Sequence, residues 1–219
     1  MGKISVFTPA VLPKKGLYIT MNDIFPGQTQ HVAIPRIQRA IVTQLQQVVD
    51  HLFHIDDLLQ WVAQACTQNF AEVAAVQFWS AYTSSPQHLR LQLRALYTNI
   101  PSILPEALTN QEIQKQVMQV LHQRKGIMPQ SASDLFSPYA ASLLEQYGLS
   151  HWACYFLSNS ALLPPPRNAS TQDKAPMPLV LAISLYFQQS PPPRLMPAIS
   201  IILEQSIMIA KRSQLVHTS

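Results

Sequence analysis

The chain has 219 residues, 15 of them Lys or Arg and 11 Asp or Glu, so 12% are charged against 47% hydrophobic. An average soluble domain carries about 25% charged residues; here about two dozen glutamines fill much of the surface role that charges usually take. Disorder along the whole chain is excluded, because it requires low hydrophobicity and high net charge, and a scattered +4 with no basic run beyond Lys14-Lys15 and Lys211-Arg212 argues against nucleic acid.

Two cysteines, Cys66 and Cys154, form neither a disulfide framework nor a four-ligand zinc pattern. Five glycines with no GxxxxGK[ST] or GxGxxG leave no phosphate loop. Met1-Gly2-Lys3-Ile4-Ser5-Val6 lacks the hydroxyl residue that myristoylation needs at position 6. No apolar stretch follows it as a secretion signal requires. The most apolar run, Leu195 to Ala210, contains Glu204 and is shorter than the roughly 20 residues of a membrane span. The expected location is therefore the cytoplasm, with no membrane contact.

In chain order, residues 1 to about 33 carry Pro9, Pro13 and Pro26 without helical period and read as an extended arm. From Ile34 a seam of three- and four-residue spacings runs through Ile41, Leu45, Val48, Leu52, Ile55, Leu59 and Val62 to Cys66. This predicts a helix, a joint near His54 to Asp56, and a second helix to about Asn69, with Asp56 and Asp57 in its first turn as capping carboxylates. The period then becomes two: Val73 to Tyr82 forms one strand, and Leu89, Leu91, Leu93 and Ala95 alternate with Arg90, Gln92, Arg94 and Leu96 in another. A helix fits Asn110 to Arg124, stopped by Gly126, and Ile127-Met128-Pro129 fits a short edge strand. Ser137 to Tyr147 reads as a helix closed by Gly148. Two apolar strands follow, His151 to Leu157 and Leu179 to Phe187, joined by a long Pro-rich loop, and a helix from Leu195 to about Gln214 ends the pattern. Helices and a mainly antiparallel sheet in this order define an α+β fold.

Three segments carry a family resemblance: HIDDLLQWVAQACTQNFAEVAAVQFWSA, the strand pair GLSHWACYFL and PLVLAISLYF, and LMPAISIILEQSIMIAKRSQL. From Arg36 to Leu215 the chain resembles the GAF family of small-molecule sensor domains. The resemblance implies an antiparallel sheet of six or so strands, with the first and last helices together on one face and a pocket under the middle helices on the other. It divides the chain into an arm (1–33), one GAF-like domain (34–215) and a tail (216–219). No Asn-Lys-x-Phe-Asp-Glu signature and no bilin-anchoring Cys-His pair is present, which argues against cyclic nucleotides and bilins. The cofactor, if any, is not specified. No output domain follows Ser219, so the chain is expected to be a fragment or to act in trans.

Elements bordering the implied pocket carry Phe78, Trp79, Tyr97, Met128, Phe136, Tyr139, Trp152 and Tyr155, each a cavity-wall or plain core candidate. Arg90 and Arg94 share a strand face and are either a clamp for an anionic ligand or an exposed polar surface. Asp50, His51, His54, Asp56 and Asp57 are the densest ligand-like cluster, but spacing supplies no third metal ligand from a strand, so a helix joint is expected and no metal. His151 and Cys154, three apart on a strand, point to opposite faces, so no thiol catalyst is expected. The terminal helices are apolar nearly all round, which predicts a homodimer seam along Ile41, Leu45, Val48, Leu52, Leu195, Ile199, Ile202 and Ile209. The functional expectation is a non-enzymatic sensor domain of bacterial-type, two-component-like signal transduction. Its expected partner is a kinase or transcription regulator. The competing expectation is a ligand-free dimerisation or scaffold module.

Overall fold

The computed structural model describes residues 30–49, 52, 54–85, 88–157 and 180–212. The elements are α1 (Gln30–Val48), α2 (Ile55–Asn69), β1 (Val73–Ser85), β2 (His88–Thr98), α3 (Pro105–Leu108), α4 (Gln111–Gln123), β3 (Ile127–Ser131), α5 (Ala132–Leu135), α6 (Pro138–Glu145), β4 (His151–Leu157), β5 (Val180–Phe187) and α7 (Leu195–Arg212). Five strands among the described residues pair antiparallel in the order β2-β1-β5-β4-β3, the kind of sheet the resemblance implies. β3 is an edge strand, as Pro129 requires.

The sheet separates two cores. On one face α1, α2 and α7 bury Val76, Phe78, Ile183, Leu185 and Phe187 beneath Leu45, Leu58, Val62, Leu195 and Ile199. On the other, the shorter helices α3 to α6 cover Trp79, Trp152, Cys154, Ala182 and Tyr186.

The residues expected along a dimer seam are covered within one chain. Ile41, Leu45, Leu195, Ile199 and Ile202 are at most 1% exposed within a single chain, and Val48, Leu52 and Ile209 pack partly buried against the same core. Burying such a side chain contributes about 2 kcal/mol. One sheet and three helices therefore cover the stripe. Ile201 and Met208 are the exposed large apolar residues of α7 among those described.

The strict alternation expected for β2 is broken. Phe78 pairs with Ala95 and Trp79 with Leu93, leaving Arg94 as the extra residue of a β-bulge. Leu91 and Leu93 consequently pack toward the short helices, whereas Ala95 and Tyr97 pack toward α2. Leu96, which looked out of phase, is in phase after the bulge. A second irregularity at Ala74 puts Ala74 and Ala75 on one face.

Helix ends also differ from expectation. His54, rather than an aspartate, caps α2: its Nδ1 accepts from the Asp56 backbone N–H at 3.2 Å. The residue that ends α4 in the left-handed region is Arg124 (φ 51°), and Gly126 serves a close approach instead. A Cβ there would lie 3.1 Å from the Cys154 carbonyl oxygen and 3.1 Å from the Tyr155 ring.

Candidate functional site

The layer between the sheet and α3–α6 contains a buried polar network that apolar periodicity does not announce. Gln77 is fully buried in β1 and donates through Nε2 to the Leu108 carbonyl at 2.9 Å. Tyr186 of β5, also fully buried, donates its hydroxyl to Gln77 Oε1 at 2.6 Å and lies 3.1 Å from the same carbonyl. Trp79 Nε1 donates to Gln77 Oε1 at 3.3 Å. A four-residue helix leaves its carbonyls without internal partners; here α3 is tied to the sheet through one of them. Burial drives the Tyr186 phenol well above its usual pKa; the Trp152 indole N–H partly opposes this and Cys154 adds to it. Trp152 Nε1 itself, buried in β4, makes no hydrogen bond of acceptable geometry. The Trp152 ring meets Phe136 edge-on, with centroids 5.4 Å apart.

The sequence-predicted pocket residues fall in separate groups, with the Tyr155 hydroxyl donating to Met128 Sδ at 3.5 Å. Trp79, Phe136 and Trp152 share this layer. Phe78, Tyr97 and Tyr155 belong to the opposite face, against the long helices. Tyr139 is 79% exposed and Met128 61%. The Arg90 side chain lies outside the described residues. Arg94 is buried and points at α2, where Nε and Nη2 both lie 2.6 Å from Asp56 Oδ1. Its Nη1 has no partner. Desolvation lowers its pKa and Asp56 opposes the shift. Neither an exposed strand face nor an open anion clamp describes it. Gln77 and Tyr186 were missed, and the usable signal was a lone glutamine inside the apolar run Val73–Trp79, a polar group that must find partners when buried.

Sulfur chemistry has no support in the geometry. Cys66 and Cys154 are both fully buried, on opposite sides of the sheet, and burial pushes each thiol up to about 12. A nucleophilic or metal-binding cysteine needs the thiolate. Among the described residues, no group of three His, Cys, Asp or Glu side chains is placed to hold a metal; Asp50 and His51 lie outside them. None of the described helices is long and apolar enough to cross a membrane.

A cleft of about 360 Å³ opens between the C-terminal turn of α4 and the edge strand β3. Its lining includes the polar residues Gln119, Gln123, Lys125 and Gln130 and the apolar residues Val120, Ile127, Met128 and Leu135. A depression of about 40 Å³ between Tyr155 and Leu203 is the smaller recess on the other face.

No protein-family model matches the chain, and no curated protein matches it in sequence. Solved structures are similar at low identity. The N-acylhomoserine lactone dependent LuxR family transcription factor CepR2 from Burkholderia cenocepacia aligns over 82% of this chain and 96% of its own, at 8% identity and a TM-score of 0.49. Escherichia coli SdiA aligns over 81% of this chain and 67% of its own, at 14% identity and 0.47. The phycocyanobilin-bound GAF domain of a cyanobacterial phytochrome aligns over 89% of this chain and 100% of its own, at 11% identity and 0.44. Identities this low carry no functional residue from those proteins onto this chain.

Proposed function

We propose that this chain is a non-enzymatic, GAF-like sensor or regulatory domain whose small-molecule response is centred on the layer between the sheet and α3–α6. The observation that carries this reading is Trp152 Nε1, which faces the Tyr186 hydroxyl without a hydrogen bond of good geometry, buried under four helices of 4, 13, 4 and 8 residues. A buried donor without a well-aligned acceptor costs about 1–3 kcal/mol. A ligand presenting an oxygen there would recover that energy, and short helices joined by loops are easier to displace than the long-helix bundle opposite. The output partner is a kinase or a transcription regulator, fused or in trans.

The test is a metabolite screen by thermal shift and native mass spectrometry on the native chain and on Trp152→Phe. The sensor reading expects a stabilising compound whose effect is lost in Trp152→Phe. A chain that binds nothing in the screen, or a stabilising compound whose effect is unchanged in Trp152→Phe, would abandon it. The second reading, a ligand-free scaffold, is favoured by the tightness of this layer, in which Ile113, Val117, Leu144 and Trp152 are at most 1% exposed.

A further inference from the structure

We infer that the α4–β3 cleft is a second binding site, for a small amphipathic carboxylate. Its volume of about 360 Å³ lies at the small end of ligand pockets, roughly 300–1,000 Å³; that suits a short-chain acid rather than a tetrapyrrole. The lining contains one charged side chain, Lys125, and no carboxylate. Gln119, Gln123 and Gln130, whose side-chain amides can donate, belong to the same lining. A carboxylate accepts from an ammonium and from amide N–H groups together, whereas an amine would find one like charge and no counter-ion. Ile127 and Leu135 supply an apolar wall for a hydrocarbon tail, while the Met128 sulfur is taken by the Tyr155 hydroxyl at 3.5 Å.

An extended peptide adding to β3 fits less well. Pro129 has no N–H to donate, and the β3–β4 register shifts between Ile127 and Gln130, so the free edge offers no continuous ladder. Arg124 also places positive charge at the end of α4 and complements its dipole, but it does not line the cleft. Val120 and Leu135 belong to or pack against the same core as Trp152, so an occupant would press on the layer assigned to sensing. Binding at the cleft does not depend on that assignment; only its coupling to output does.

The probe is sodium hexanoate, with hexylamine as its charge-reversed counterpart, titrated into the 15N-labelled chain. Hexanoate should shift the backbone amides from Lys125 to Gln130 except Pro129, with a Kd on the order of 1–10 mM. Hexylamine should bind at least about fivefold more weakly, and Lys125→Gln should weaken hexanoate about fivefold. Gln119→Trp, an exposed position that fills the cleft, should abolish the shifts. Equal binding of hexylamine, or hexanoate binding untouched by both variants, would overturn the inference. Loss of binding in Trp152→Phe but not in Gln119→Trp would move the ligand to the sheet layer, ending the cleft assignment and supporting the sensor reading.

Discussion

The Arg94 guanidinium donates through Nε to Asp56 Oδ1 at 2.6 Å, joining the bulge of β2 to the first turn of α2. The pair is asymmetric: the Arg94 side chain is 1% exposed and that of Asp56 22%. Removing the carboxylate strands a buried cation, whereas removing the arginine leaves an aspartate that water still reaches. Breaking a buried pair costs about 3–5 kcal/mol, and partial exposure of Asp56 reduces this to about 2–3 kcal/mol. Asp56→Asn should therefore be distinctly less stable in urea than the double variant Asp56→Asn/Arg94→Met. A double variant no better than the single one would show that the cost is not a stranded charge.

The polar network under α3 makes a second prediction about unequal partners. In Tyr186→Phe, Gln77 Oε1 retains Trp79 Nε1 and the Leu108 carbonyl retains Gln77 Nε2, so no acceptor is orphaned and the loss should be about 1 kcal/mol. In Gln77→Leu, Trp79 Nε1 loses its acceptor inside the core, and the loss should be about 2–3 kcal/mol. Denaturant midpoints ranking the two in the reverse order would refute this reading of the network.

Element order was legible because each long element carries its own period: α4, with Ile113, Val117, Val120 and Leu121 buried, is the clearest case. The edge position of β3 followed from Pro129. Two kinds of information were not legible. Facing depended on bulges, and an extra residue such as Arg94 reverses inside and outside without changing composition. Ownership of an apolar stripe was equally silent: Ile41 and Ile202 must be covered, but periodicity does not say whether the cover is the same chain or a copy. α3 and α5, at four residues each, are too short to show any period. The candidate site suffered most, because its network joins Gln77 to Tyr186 across 109 residues.

Glu112 ties α4 to α6, accepting from the Ser137 backbone N–H at 2.7 Å and from its hydroxyl at 2.5 Å. These two bonds hold the Glu112 carboxyl below its ordinary value of 4.5. A depressed carboxyl contributes stability that is fully present above the unfolded value and lost as pH falls through the folded one. Melting curves from pH 6 downward should show the native chain's advantage over Glu112→Gln shrinking as pH falls below the ordinary value of 4.5. A constant gap between them at all pH values would mean that the clasp does not titrate.

The thiols give the opposite sign at high pH. Cys66 is pushed up to about 12 by burial, and Cys154 to about 12 with Ser184 partly opposing. Their contribution is complete below the unfolded value near 9.0 and declines as pH rises toward 12. At pH 8 a disulfide reagent should label neither cysteine except through unfolding, so the labelling rate should track denaturant concentration. Rapid labelling of the native chain would show that one thiol is reachable.

Gly148 and Gly126 should respond differently to the same substitution. Gly148 follows α6 with φ 72°, and a Cβ there would meet nothing within 4 Å. The helix end is closed by Gly148 N–H to Glu145 at 2.8 Å and Leu149 N–H to Leu144 at 3.1 Å. The cost of a side chain is thus backbone strain alone, about 1 kcal/mol for alanine and less for asparagine, which visits the left-handed region more readily. Gly126 has no such backbone demand, but its Cβ would press on the Cys154 carbonyl, which β-pairing holds in place. Asparagine should therefore be better tolerated than alanine at Gly148 and worse at Gly126, where added bulk meets the β3–β4 ladder. Thermal midpoints of the four variants decide it, and the same ranking of asparagine and alanine at both positions would contradict the assignment of one glycine to φ and the other to space.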